Sequence, residues 1–181
     1  PALGGPPVRP HQPEDVWEEI FMGRYTYLPS EGAAQYRRTL YAFWRRSSAP
    51  TFLFDSAQRR VCEVAMTRTN TPLQALTLLN DQSLKEAAEA LALKACEGKR
   101  SAGSEGERLD GIIRRLLSRP ATAAELAVLQ REFKRALEHY KSHPEDADRY
   151  FSMPAPAARK AALCAFTLAA SLVLNLDEAI T

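Results

Sequence analysis

The run from Ala157 to Leu176 constrains this chain more than any other stretch. It is apolar on nearly every face of a helix, with Thr167, Ser171 and Asn175 as polar interruptions, Arg159-Lys160 at its start and Asp177-Glu178 after it. A helix that is hydrophobic all round belongs in the middle of a core or in a bilayer. A transmembrane span needs about 20 strongly apolar residues, and the apolar part of this run after Arg159-Lys160 is shorter and rich in Ala. We therefore expect a central buried helix, and no transmembrane segment in this piece.

Other helices are needed to surround it, and the sequence supplies them. Leu109, Ile112, Ile113, Leu116 and Leu117 fall on one helical face, and Arg119-Pro120 ends that helix. Thr122-Ala123-Ala124-Glu125 is a capping box, after which Leu126, Leu129, Phe133, Leu137 and Tyr140 continue one face. These two helices read as an antiparallel hairpin. Ser142 to Pro156 reads as a Pro-punctuated loop.

The N-terminal third reads differently. Pro1–Pro10 is rich in Pro and Gly, and we expect residues 1–12 to be a linker at the start of an excised piece. Pro13-Glu14-Asp15 opens a short amphipathic segment with Val16, Trp17, Ile20 and Phe21. Arg24 to Leu28 is β-prone, and Pro29-Ser30-Glu31-Gly32 is turn chemistry. Tyr36 to Trp44 fits a helical face or an aromatic strand, and we read it as a strand paired with Arg24–Leu28. At 181 residues the chain is long enough for one domain with a real core. The expected fold is mainly α: a single-domain helical bundle over residues 13–181, with a small β-hairpin in the N-terminal third.

The most specific local pattern lies between. Thr71-Pro72-Leu73-Gln74 has the form of a helix N-terminus: a hydroxyl to cap the N3 amide, Gln to reach back, and Pro where a missing N–H is harmless. Leu73, Leu76 and Leu79 follow at helical spacing. Asn80-Asp81 interrupts this apolar face, and Ser83-Leu84-Lys85-Glu86 is a second capping-box pattern. We expect a break at about 80–83, then a helix to about Ala95 with Leu84, Ala87, Ala88 and Leu91 inward. Thr69, Asn70, Asn80 and Asp81 then either only cap and turn the chain or contribute to a site.

Several of these motifs resemble those of a bacterial family of unknown function. They are Tyr36-Arg37-Arg38-Thr39-Leu40-Tyr41-Ala42-Phe43-Trp44-Arg45-Arg46, Phe54-Asp55, the run Arg68-Thr69-Asn70-Thr71-Pro72-Leu73-Gln74-Ala75-Leu76, Leu79-Asn80-Asp81, and the ending Leu174-Asn175-Leu176-Asp177-Glu178. One departure is Gln82, where many relatives would have Pro. The family is the C-terminal domain of large extracytoplasmic proteins, typical of planctomycetes and their relatives, that often carry a cytochrome-c-like domain upstream. The resemblance implies a periplasmic or cell-surface location, partners in upstream domains of the same chain, and sulfated-glycan or polysaccharide processing nearby. It implies no assigned activity.

Charge distribution marks the candidate site. From Arg24 to Arg68 there are eight arginines and no Lys, against three acids, Glu31, Asp55 and Glu63. The planar guanidinium fork suits carboxylate, sulfate or phosphate. The candidate anion-binding set is Arg37, Arg38, Arg59, Arg60 and Arg68 with Asp55, Asn70, Asn80 and Asp81. The plainer use of such residues is in internal ion pairs. The net charge of +2 offers no global field for nucleic acid. His11, His139 and His143 lie in polar flanks and read as solvated, so no metal site is expected. Cys62, Cys96 and Cys164 are too far apart for a metal motif, and without Cys-x-x-Cys-His this piece attaches no c-type haem; a haem belongs to an upstream domain if anywhere. The three thiols are either buried and inert or include one bridged pair. No Gly-rich phosphate loop or nucleophile elbow is present. The leading expectation is a non-catalytic structural or interaction domain. The alternative is an enzyme domain, or part of one, acting on an anionic, sulfated glycan at the Arg-rich cleft.

Overall fold

The computed structural model of the protein describes residues 5–11, 22–32, 37, 41–43, 71–97 and 103–180. The chain divides into two compact units, Pro1–Thr67 and Arg68–Thr181.

The second unit holds seven helices among the described residues: α1 Pro72–Asn80, α2 Gln82–Cys96, α3 Glu105–Leu117, α4 Ala123–Ser142, α5 Pro144–Tyr150, α6 Ala157–Leu174 and α7 Asp177–Ile180. Helix α6 is its centre, packing on α1, α2, α3, α4, α5 and α7. Leu163, Cys164, Ala165, Phe166, Thr167, Ala169, Ala170 and Val173 are all buried. Among the described residues this one helix is long and apolar enough to cross a membrane by length and composition, and 44% of it is buried inside the bundle. The hydroxyl of Thr167, fully buried, donates to the Leu163 carbonyl at 2.8 Å, so this polar group is satisfied within the helix. Around α6 the core is completed by Ala88, Ala92 and Ala95 of α2, Leu109, Ile112 and Ile113 of α3, and Leu129 and Phe133 of α4. Alanines on α2 let its backbone approach α6 closely.

Helix starts follow the capping chemistry. Thr71 caps α1: its hydroxyl accepts from the Gln74 N–H at 3.2 Å, and Gln74 Oε1 accepts from the Thr71 N–H at 2.8 Å, with Pro72 in the first turn. Replacing Thr71 by Ala is expected to destabilise the second unit by about 1 kcal/mol; an unchanged denaturation midpoint would show that the cap contributes nothing. The predicted break falls on Asp81 alone. Asp81 ends α1 and caps α2, accepting the Leu84 N–H on Oδ1 at 3.0 Å, so Ser83 is not the cap. Gln82 takes the first helical position, which Pro would also fit. Thr122 and Glu125 form the predicted capping box of α4, and Ser104 with Glu107 forms another at α3.

Four expectations need correction. First, of the apolar face read on α1, Leu76 and Leu79 do not face inward, and the Leu73 side chain lies outside the described ones. Gln74 and Leu78 are buried, while Leu76 and Leu79 are exposed; helical spacing finds a face but not the side the bundle occupies. Second, of the α2 residues expected inward, Ala88 is buried and Leu84 and Leu91 are half-buried, but Ala87 is exposed, and Glu89, Ala92 and Ala95 complete the inner face. Third, the segment Ser142–Pro156 is not all loop, because Pro144 occupies a first helical turn with Glu145 and Asp146 and opens α5.

The fourth correction concerns the first unit. Among the described residues, which include Arg24–Leu28 but only Arg37 and 41–43 of the expected partner strand Tyr36–Trp44, no hairpin and no sheet is found; Val8 and Ala42 form an isolated parallel bridge, and Arg37 is also a bridge residue. The Val8 N–H donates to the Tyr41 carbonyl at 2.8 Å, and the Phe43 N–H to the Val8 carbonyl at 2.6 Å. On the other side, Arg9 and Ser30 exchange hydrogen bonds at 2.8 and 2.9 Å, and the Tyr27 hydroxyl donates to the Pro10 carbonyl at 2.6 Å. The segment expected as linker thus takes backbone groups that the hairpin would have used, and Val8 is buried. The amphipathic segment opened by Pro13 lies outside the described residues.

Candidate functional site

The structure describes Arg37, Asn80 and Asp81 of the predicted anion-binding set. Arg38, Asp55, Arg59, Arg60, Arg68 and Asn70 lie outside the described residues, so no cleft joining them is on view. Arg37, in the first unit, is half-buried, and its guanidinium donates to the Pro6 carbonyl at 3.4 Å. It also packs against Gly5, whose φ of +95° and lack of a Cβ make room for it. Asn80 turns its Nδ2 back to the Leu76 carbonyl at 2.7 Å, one turn earlier on α1. Asp81 is occupied at the start of α2. Each of the three has a structural contact, local for Asn80 and Asp81 and 31 positions away in sequence for Arg37.

A polar cluster that the sequence did not single out lies in the second unit. Glu89 of α2 is fully buried. Its Oε1 accepts from the backbone N–H of Ser152 at 3.1 Å, and Lys85 Nζ lies 3.7 Å from the same oxygen. Lys85 also donates to the Ser152 hydroxyl at 3.2 Å and sits 5.6 Å from the Tyr150 ring centroid. Oε2 of Glu89 is buried without a hydrogen-bond partner. Tyr150 stacks on Tyr140 at 5.6 Å. Nearby, the Cys164 thiol donates to the Ala147 carbonyl at 3.6 Å. Lys85 and Glu89 are spaced like an exposed i,i+4 ion pair, which conceals that the acid points inward. Chemically the cluster ties α2 to the segment between α5 and α6.

Titration behaviour points the same way. Burial pushes Tyr140 up to about 12 and Cys164 up to about 11, and raises Tyr150 and Cys96, the last against the opposing pull of Arg108. In the first unit, burial likewise takes Tyr27 to about 12. Thiols and phenols shifted upward stay protonated near neutrality, the opposite of an activated nucleophile. Cys96 and Cys164 are free thiols, and Cys62 lies outside the described residues.

The densest charge arrangement is a clamp. Arg119, in the turn between α3 and α4, binds Glu125 at 2.7 and 3.0 Å and Glu178 of α7 at 2.6 and 2.8 Å. Glu125 also accepts from the Thr122 N–H and hydroxyl. Hydrogen bonds from Arg119, then from Thr122, hold Glu125 down at about 2, and Arg119 lowers Glu178. Acids lowered by folding stabilise the fold above their ordinary value of 4.5, and that contribution is lost as pH falls towards 2. The melting temperature is therefore expected to fall between about pH 4.5 and 2, and to fall less steeply in Arg119→Ala. Equal acid slopes in parent and variant would remove the clamp from the account.

Remaining polar groups are spent similarly. Lys160 of α6 pairs with Asp148 of α5 at 2.6 Å, and Asp110 accepts the Ala121 N–H at 2.8 Å while pairing with Arg114. His139 Nε2 lies 3.1 Å from Asp146, its ring stacks on His143 at 4.7 Å, and His143 turns Nδ1 to the His139 carbonyl; His11 is exposed. Among the described residues no group of three His, Cys, Asp or Glu is placed to hold a metal. A depression of about 290 Å³ on α4, lined by Lys134, Leu137, Glu138, Lys141 and Ser142, contains none of the predicted residues. Its Ser142 hydroxyl donates to the Glu138 carbonyl.

These features define a helical domain whose described ion pairs either brace a single helix or join one element to the next. The chain belongs to the family described as protein of unknown function DUF1553 (PSD1), whose model matches residues 1–133. The match covers the first unit, crosses into the second and stops within α4. No curated protein and no solved structure matches the chain.

Proposed function

We propose that this chain is a non-catalytic structural and interaction domain of a larger extracytoplasmic, cytochrome-associated protein. The observation that carries the reading is the use made of Asn80 and Asp81. Both stand in the motif-rich stretch where a site was expected, and both spend their side chains on helix ends. Arg37, packed on Gly5 and Pro6, supports the same reading. The upward-shifted thiols and phenols support it further, since a catalytic nucleophile needs the reverse. The extracytoplasmic, cytochrome-linked setting rests on the motif resemblance, and upstream domains of the same chain are the partners it implies.

Sulfate titration followed by thermal melting separates this from the anion-cleft alternative. For a structural domain, sulfate should raise the melting temperature without saturation, and equally in parent and Arg68→Ala. A saturable rise in the parent that Arg68→Ala removes while remaining folded would overturn the structural reading in favour of a specific anion site.

A further inference from the structure

We draw no further inference here: the strongest candidate, the uncharged leucine face of α1 formed by the exposed Leu76 and Leu79, carries nothing because nothing in the structure shows what covers it.

Discussion

Phe166→Asp is expected to leave no folded second unit. Phe166 is 1% exposed on α6, with its ring 4.5 Å from that of Phe133. Removing a buried Phe side chain costs about 3–5 kcal/mol from lost burial and the cavity left behind. A carboxylate in that place adds a desolvation penalty of several kcal/mol. Arg108 lies over the Phe166 ring at 5.3 Å, so the new acid has a cation within reach. That pair would still replace close-packed carbon, and the sum is comparable with the stability of an ordinary domain, about 5–15 kcal/mol. Phe166→Leu is the companion variant, expected to fold with a loss on the order of 1–2 kcal/mol. Circular dichroism and thermal melting of both read the result. A parent-like cooperative melt from Phe166→Asp would show that α6 is not the core helix.

Ending the chain after Phe133, where the family match stops, is expected to be as damaging. The cut removes the rest of α4 and all of α5, α6 and α7. Ala88, Ala92 and Ala95 of α2, and Leu109, Ile112 and Ile113 of α3, then lose the helix they pack around. Separate helices of this length are marginal in water. The 1–133 chain should therefore show weak helicity in residues 72–133 and no cooperative melt of the second unit, whereas 1–181 should melt cooperatively. Native-like, cooperative helicity in 1–133 would mean that the match marks a self-sufficient fold and that α6 is an addition to it.

Much of the second unit was legible because its signals are local. Thr71 with Gln74, and Thr122 with Glu125, cap helices where the pattern says, since a capping box involves residues only three apart. The all-apolar run became α6 because the middle of the bundle is where its apolar circumference is buried. The candidate site was less legible. Its described members show structural contacts, and the buried acid of the domain proved to be Glu89, which sequence spacing makes look like a surface residue.

The sequence by itself determined the helical class, the central helix, and the helix starts at Pro72 and Ala123. Each of these depends on contacts within one or two turns. Tertiary structure decided which side of α1 and α2 faces inward, because that depends on where α6 lies. It placed Glu89 beneath Ser152, 63 positions along the chain, and Arg119 between Glu125 and Glu178. It also gave Val8 the backbone partners at Tyr41 and Phe43 that a hairpin would have needed. No local propensity encodes such choices. A backbone hydrogen-bonding group goes to whichever segment the fold brings beside it, and that is settled only when the whole unit packs.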